Sequence, residues 1–425
     1  MRFRVLAVLL GVALQIPAQL SAKEVEQFPN NAESPITFWI KLAEQGNPVA
    51  QFNLGSYYQY GSRGLGQDNA QAVAWYRKAA EQGYAAAELG LGAMILNGQA
   101  AGAEKAQAES WVRRAAEQGH ADAENFLGFM YLNGNGIAQD SDKARQWFRK
   151  SAEQGQRQAQ NNLALMYYNA TGVARDDQQA AFWFQKAATQ NHVPAQNNLA
   201  NAYAAGRGVP QDFAQAMVWY RLAAEAGDRN AQYSLAGLYD LGHVFGINLE
   251  QAVYWLGLSA SQGMPQAQLR LGLLNATGRG VPRDYSRAVY WFRRAAEQGN
   301  AEAQFRLGAL YETGQGVAQD YIQAAQWFLK AADQGFSEAQ NSLGVLYATG
   351  RGFRQDYRQA EVWIRKAAEQ GNAYAQVTLG AMYIKGNGVE PDKDKAIDWY
   401  RKAAKQGNRD AATNLKALGV TTERF

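Results

Sequence analysis

The chain has 425 residues, of which 47% are hydrophobic and 19% charged, and its formal net charge at pH 7 is +4. This composition is that of a folded chain with a buried core and not of a disordered one. There is no cysteine, and there are only three histidines. The composition therefore excludes disulfide frameworks, cysteine zinc sites and thiol nucleophiles, and it leaves few residues for metal binding or acid–base catalysis.

The first 22 residues predict a secretory signal peptide. Two arginines precede an apolar run over residues 5–14, and small residues ending at Ala22 form a cleavage motif. This run is too short to span a bilayer, although an uncleaved anchor is the alternative. We expect a periplasmic or secreted protein that does not span the membrane after cleavage near Ala22. Residues 23–33 are then a flexible linker.

The charges of the mature chain give no sign of a nucleic-acid partner. Without residues 1–22 the chain keeps 40 basic residues against 38 acidic ones, because that segment removes two of the 42 basic residues and no acid. The two signs are interspersed along the sequence, and no basic stripe is present. We therefore expect no binding to nucleic acid.

A repeat of 36 residues dominates the sequence. Eleven tryptophans recur at this spacing from Trp39 to Trp399. A fixed period in this range is typical of a solenoid and not of separate globular domains. Ten complete units can be phased, each from an alanine: Ala50, Ala87, Ala123, Ala159, Ala195, Ala231, Ala267, Ala303, Ala339 and Ala375.

Each unit predicts two helices, A and B, joined by a short loop. In the unit that starts at Ala303, apolar residues fall at helical spacing, and a Gly-x-Gly turn then precedes a second helical run. An aspartate before helix B predicts an N-cap in eight units, with Glu104 and Asn248 in the other two. A glycine ends helix B in nine units, and Asn191 takes the left-handed position in the tenth.

These patterns predict an all-α fold, a right-handed α–α superhelix of ten complete helix–turn–helix repeats. The repeats occupy residues 50–410. Half-repeats cap both ends, as a solenoid requires. The N-terminal cap covers residues 34–49, and the C-terminal capping helix and tail cover residues 411–425.

The repeat unit resembles the Sel-1-like repeat, a relative of the tetratricopeptide repeat. The matching pattern is Ala-x-x-x-Leu-Gly-x-x-Tyr, then Gly-x-Gly-Val-x-x-Asp, then Ala-x-x-Trp-(Tyr/Phe)-x-x-Ala-Ala-Glu-Gln-Gly, with good copies at residues 123–155, 303–335 and 339–371. The resemblance covers about residues 36–418. It implies a scaffold or adaptor that binds other proteins without a cofactor, and secreted bacterial members act at the cell envelope or contact host proteins.

A candidate binding groove follows from the wheel of helix A, numbered from its phasing alanine as position 1. Positions 3, 7 and 10 lie opposite the packed side, and by analogy with tetratricopeptide arrays they line the concave groove. In the second to fourth repeats these positions carry large apolar residues: Leu89, Leu96, Phe129, Leu132, Leu165 and Tyr168. Polar residues complete the predicted site: Asn125, Asn161, Asn197 and Asn201. The alternative is that curvature of the groove buries the apolar side chains.

Two other functions stay open at this point. Groove aromatics with Asn and Gln side chains would also suit peptidoglycan or another glycan. Some members of the family are penicillin-binding hydrolases, but this chain has no Ser-x-x-Lys and no Gly-x-Ser-x-Gly motif, so a weak hydrolase is the third reading and we expect no enzyme. We expect the tryptophans to fill the joints between repeats as core residues, and His120, His192 and His243 to be turn or surface residues.

Overall fold

The computed structural model describes residues 35–102 and 105–420. The predicted signal peptide, the linker, Ser34 of the N-terminal cap, the cap at Glu104 and the tail from residue 421 lie outside the described residues. The described residues form 22 α-helices and no strand, which confirms the all-α prediction. The chain divides into two compact units, one up to Gln211 and one from Asp212.

Unit 1 contains ten helices, in which odd numbers are B helices and even numbers are A helices. They are α1 (Pro35–Glu44), α2 (Pro48–Tyr60), α3 (Asn69–Glu81), α4 (Ala85–Leu96), α5 (Lys105–Glu117), α6 (Ala121–Asn133), α7 (Ser141–Glu153), α8 (Arg157–Asn169), α9 (Asp177–Ala188) and α10 (Val193–Ala205). Each helix packs against the next one in the chain.

Unit 2 contains twelve helices with the same alternation. They are α11 (Phe213–Glu225), α12 (Arg229–Leu241), α13 (Leu249–Ser261), α14 (Pro265–Thr277), α15 (Tyr285–Glu297), α16 (Ala301–Thr313), α17 (Tyr321–Asp333), α18 (Ser337–Thr349), α19 (Tyr357–Glu369), α20 (Ala373–Lys385), α21 (Lys393–Lys405) and α22 (Arg409–Ala417). Sequential packing holds here too. Within each unit the helices therefore form a solenoid of antiparallel pairs.

The predicted helix ends are confirmed. The aspartates before the B helices accept hydrogen bonds from backbone N–H groups in the first turn, as Asp284 does from Arg287 at 2.9 Å, and Asn248 does the same from Gln251 at 3.0 Å. Asn191 has a φ of +59°, the left-handed conformation that glycine adopts in the other repeats. Both ends of these helices thus follow from short-range chemistry.

The residue after each tryptophan, and not the tryptophan itself, fills the joint within a repeat. Phe328 is fully buried and packs on Gly308 of α16, where a β-carbon would lie 2.7 Å from the Phe328 ring. Equivalent buried side chains in the other repeats include Tyr76, Val112, Phe148, Phe184, Tyr220, Leu256, Phe292, Ile364 and Tyr400. Glycine at position 6 lets the two helices approach closely in seven repeats, and a buried alanine takes its place in the other three, at Ala164, Ala200 and Ala236.

The tryptophans are less buried than the core prediction requires, although Trp75, Trp327, Trp363 and Trp399 pack against buried core clusters. Trp39 and Trp255 are buried, whereas the other nine are partly exposed. In six repeats a lysine or arginine three residues later covers the indole ring, as Lys402 does at 3.8 Å from the centre of Trp399. The tryptophan is amphipathic, so its outer face accepts a cation and the next residue supplies the core.

A buried polar side chain stands at position 2 of the A helix in each of the ten repeats, and in most of them it joins consecutive repeats. Gln304 donates from Nε2 to the carbonyl of Ala296 in the preceding B helix at 3.0 Å, and its Oε1 accepts from Gln334 at 2.8 Å. Glutamine makes the first of these bonds in eight repeats. In the second and third repeats the residue is Glu88 or Glu124, which is also buried.

The Gly-x-Gly loops lie against the preceding repeat. Gly316 has a φ of +73°, and a β-carbon there would lie 2.4 Å from the carbonyl carbon of Tyr285, at the start of the previous B helix. No other residue fits such an approach. The second glycine is therefore required by contact between repeats. The prediction of a turn explains the first glycine of the motif but not the second.

The joint predicts opposite effects for two glycine substitutions in A helices of unit 2. Gly308→Ala places a methyl group against Phe328, so we expect the free energy of unfolding to fall by about 1–3 kcal/mol. Gly237→Ala is the control, because nothing lies within 4 Å of its β-carbon position, and alanine should stabilise α12 by up to about 1 kcal/mol. Urea unfolding followed by circular dichroism measures both, and equal effects would contradict the close-packed joint.

The hydrogen bonds at position 2 predict opposite effects when glutamate is replaced by glutamine and glutamine by glutamate. Glu124→Gln should raise the free energy of unfolding at pH 7 by about 1–2 kcal/mol, because an amide can donate to the preceding helix and a carboxylate cannot. Gln304→Glu should lower it by about 1–3 kcal/mol. Burial raises the pKa of Glu124, and hydrogen bonding from Gln154 opposes that shift.

This exchange also has a pH signature. Because folding raises the pKa of Glu124, the folded state becomes protonated at a higher pH than the unfolded state. The free-energy cost of burying the Glu124 carboxylate is therefore largest at neutral pH. The advantage of Glu124→Gln should shrink as the pH falls toward the ordinary glutamate value of 4.5. An advantage that is constant from pH 7 to pH 4.5 would contradict this account.

Candidate functional site

The ten residues predicted to bind a partner lie on A helices of unit 1, and the structure divides them by burial. Three are buried: Leu89, Leu96 and Asn161. The other seven are partly exposed: Asn125, Phe129, Leu132, Leu165, Tyr168, Asn197 and Asn201. We call the partly exposed positions of α6 and α8 (Phe129, Leu132, Leu165 and Tyr168) the A-helix face.

Leu89 and Leu96 are buried because α4 is covered on all sides. Every residue from Ala87 to Leu96 is buried. The loop of the third repeat closes over the end of α4, and the Leu96 side chain lies 3.0 Å from the β-carbon position of Gly136. Leu89 and Leu96 are therefore buried, as the alternative based on the curvature of the groove expected, and they offer no exposed area to a partner.

Two of the predicted asparagines, Asn125 and Asn161, accept hydrogen bonds from asparagines of the next repeat. The Asn162 amide donates to Asn125 at 3.0 Å, and the Asn198 amide donates to Asn161 at 3.2 Å. Position 3 of one repeat is thus joined to position 4 of the next. Part of the hydrogen-bonding capacity of these asparagines is therefore already used to join adjacent A helices.

Tyr168 is held in place by its neighbours. The Arg207 guanidinium lies 3.7 Å from the centre of the Tyr168 ring, and Phe184 contacts that ring edge-on at 6.1 Å. Arg207 also pairs with Asp177 at 2.9 Å. Hydrogen bonds from Arg175 and Arg207 lower the pKa of Asp177 to about 2, so the carboxylate is charged at neutral pH. The aromatic ring is therefore preorganised, with one face covered by a cation.

Position 10 of an A helix meets the middle residue of the next Gly-x-Gly loop. Tyr168 meets Arg207 in this way, and buried Asp240 pairs with Arg279 at 2.7 Å. Sequence analysis missed these pairs, although a signal was present. Each arginine stands 39 residues after its partner, in a loop that reads Gly-Arg-Gly.

The second and third repeats carry buried carboxylates at position 2, and these differ in how their charge is balanced. Glu88 pairs with Arg114 at 2.8 Å, and the same guanidinium donates to the carbonyl of Ala80, the atom that a position-2 glutamine would otherwise bind. Glu124 accepts from Gln154 at 2.6 Å and has no such arginine. Burial raises the pKa of both glutamates.

His192 caps α10 from a buried site, so the prediction of a turn residue is right and that of a surface residue is not. Its Nδ1 accepts from the backbone N–H of Ala195 at 3.3 Å, and its Nε2 lies 2.9 Å from Oε1 of Gln158. These partners require a neutral ring with the proton on Nε2. Burial lowers the pKa of His192 to about 4, and the nearby Arg157 adds to the shift.

The geometry at His192 predicts a loss of stability in acid. Because folding lowers the pKa of His192, its contribution to the free energy of unfolding is fully present above pH 6.5. This contribution is lost as the pH falls from 6.5 to about 4, by about 3 kcal/mol in all. His192→Asn keeps a cap of the kind seen at Asn300 and should remove this pH dependence. His120→Asn is the matched control, because His120 caps α6 and is partly exposed. Urea unfolding at pH 7 and pH 5 measures how much stability each variant loses in acid. An equal loss in His192→Asn and His120→Asn would contradict the assignment to His192.

Within residues 35–102 and 105–420, no group of three or more His, Asp or Glu side chains is placed to hold a metal ion. No helix in the same part of the chain has the length and apolar character needed to cross a membrane. The A-helix face presents aromatic and aliphatic side chains on adjacent A helices.

Comparisons with known proteins agree with the repeat geometry. The model of the Sel1 repeat matches ten consecutive segments: residues 48–84, 85–120, 121–156, 157–192, 193–228, 229–264, 265–300, 301–336, 337–372 and 373–408. Each segment starts at the first residue of an A helix, two residues before the alanine that phases the sequence. No curated protein sequence matches the chain.

Two solved structures are similar over most of the chain. One is c5321, described as a protective antigen present in uropathogenic Escherichia coli strains and displaying an SLR fold; it is 36% identical over 91% of this chain and 84% of its own, with a TM-score of 0.78. The other is a Sel1 repeat protein from Oxalobacter formigenes, 37% identical over 73% of this chain and 90% of its own, with a TM-score of 0.57. The chain therefore belongs to the Sel1 repeat family, whose members generally mediate protein–protein interactions and are typically non-catalytic scaffolds.

Proposed function

We propose that this protein is an exported, non-catalytic adaptor that binds a protein partner on the A-helix face of unit 1. The observation that carries the proposal is the set of four large apolar side chains on adjacent A helices that stay partly exposed. They are Phe129 and Leu132 on α6, and Leu165 and Tyr168 on α8.

The surroundings of these side chains favour a macromolecular partner. The Asn125–Asn162 bond and the Arg207–Tyr168 contact hold the surface rigid from both sides. Rigid aromatic and aliphatic groups bordered by amides and an arginine are typical of the centre of a protein–protein interface. Because the groups are already ordered, binding costs little side-chain entropy.

Two observations support export. Residues 1–22 have the charge and hydropathy pattern of a secretory signal peptide. The similar protein c5321 is described as a protective antigen present in uropathogenic Escherichia coli strains, which favours a location outside the cytoplasm. We therefore infer that the partner is met in the periplasm, at the cell envelope or outside the cell.

The proposal predicts a partner that depends on the A-helix face. Residues 23–425 serve as bait in affinity capture from envelope and secreted fractions, read by mass spectrometry. Phe129→Ser combined with Leu165→Ser should weaken retention of the partner about tenfold, since central apolar contacts carry most of the binding energy. Leu273→Ser is the matched control, because it lies at the same position 7 in unit 2 and is also partly exposed.

Circular dichroism checks that each variant is folded. Equal loss of the partner in the control would contradict an A-helix face confined to unit 1. Co-sedimentation of the wild-type chain with purified cell-wall sacculi, in the absence of any retained protein, would favour the glycan-binding reading instead.

A further inference from the structure

We propose a second interaction surface, in unit 2, which binds an acidic protein segment that carries apolar side chains. We call it the loop surface. Its members are exposed residues of the sixth and seventh repeats: Leu241, Phe245, Ile247, Arg279, Arg283 and Arg287. It shares no residue with the A-helix face and does not rest on that face being a binding site.

The apolar half of the loop surface is unusually exposed. Phe245 is 81% exposed, Ile247 65% and Leu241 63%, the three highest values among the exposed leucine, isoleucine and phenylalanine side chains of the described chain. Single exposed apolar residues are ordinary, but three around one loop of seven residues mark an interaction site.

The loop of the sixth repeat differs from the other loops of unit 2 in how it is held. In the eighth repeat Gly316 presses against Tyr285, whereas nothing lies within 4 Å of the β-carbon position of Gly246. The loop is fixed at His243 instead, whose ring stacks on Phe213 at 4.2 Å. This anchor holds the base of the loop and leaves Phe245 in solvent.

The arginine half lies directly beside it. Arg279 pairs with Asp240, the residue before Leu241, at 2.7 Å. The β-carbon position of Gly280 is 2.7 Å from the Leu249 side chain, at the start of α13. The loop of the seventh repeat therefore lies against the end of α12 and the start of α13, next to the exposed apolar residues.

The seventh repeat concentrates positive charge. Residues 265–300 contain six arginines, no lysine and two acids, a formal charge of +4, while each of the other nine repeats lies between −2 and +2. Arg270 and Arg279 share one carboxylate, that of Asp240. Arg283 contacts the Tyr285 ring at 5.7 Å and makes no ion pair within the described residues.

The acids beside this cluster do not neutralise it. Arg287 pairs with Asp284 at 3.4 Å, and Glu250 is an exposed acid at the start of α13. Counting Asp240, Glu250 and Asp284 against Arg270, Arg279, Arg283 and Arg287 leaves one positive charge in excess at the loop surface. The other charges of the seventh repeat are Arg293, Arg294 and Glu297 on α15, which add one further positive charge.

The use of arginine favours a carboxylate-bearing protein over a lipid surface. Guanidinium groups bind carboxylates in a bidentate geometry, and arginine with aromatic residues is enriched at protein interfaces whereas lysine is depleted. An anionic membrane attracts lysine and arginine alike, and the seventh repeat has no lysine. An acidic segment with apolar side chains complements both halves of the surface.

The test measures how binding depends on the charge of the ligand. The mature chain is applied to an array of synthetic peptides of constant length and apolar content, graded in net charge. We expect binding to increase with negative charge and to weaken about fivefold in Phe245→Ser/Ile247→Ser and in Arg283→Gln/Arg287→Gln. Ile322→Ser and Arg354→Gln/Arg358→Gln are the controls, because they remove exposed residues of the same kinds from neighbouring repeats of unit 2.

Several outcomes would overturn the proposal. Binding that is independent of peptide charge, or equal losses in the control variants, would show that the loop surface does not select acidic segments. Sedimentation of the wild type with phosphatidylglycerol vesicles, without selective peptide binding, would assign the surface to lipid. Peptide binding that survives Phe129→Ser/Leu165→Ser separates this surface from the A-helix face, since those residues lie in unit 1.

Discussion

The buried amide at position 2 of the A helix, present in eight of the ten repeats, fixes how one repeat meets the next. Gln304 is only 4% exposed, and its nitrogen and oxygen are both bound, to Ala296 of the previous repeat and to Gln334 of its own B helix. One side chain thus joins three chain segments. A buried amide with one bond missing costs more free energy than the bond itself contributes, so a shift of either helix would be penalised. The 36-residue register follows from this bridge together with the glycine joint.

Local chemistry explains what could be predicted from the sequence. An N-cap depends on residues three positions apart, and a left-handed helix end depends on a single residue, so Asp284 and Asn191 could both be assigned from the sequence alone. The ten repeats, their helices and the family followed from the same periodic signals. These features require no knowledge of which helices touch.

Burial could not be predicted because it depends on residues far apart in sequence. Leu96 is covered by the loop at Gly136, and Tyr168 by Arg207, so the wheel of a single helix describes neither. The tryptophans misled for a related reason. Their fixed spacing marks an invariant place in the repeat, but the next residue, such as Phe328, points into the joint. Periodicity therefore locates a position and does not say how deeply it is buried.

The same bridge that fixes the stacking leaves other positions free to vary. The amide at position 2 and the second loop glycine make contacts between repeats and the joint makes contacts within a repeat, whereas position 10 and the middle loop residue carry different side chains in different repeats. Because the middle loop residue touches position 10 of the preceding repeat, a change there alters the surroundings of that position in its neighbour. Arg207 acts on Tyr168 in unit 1 in this way, and Arg279 acts on Asp240 in unit 2. A regular solenoid can thus carry two chemically different surfaces, one aromatic and one rich in arginine, on a single repeated framework.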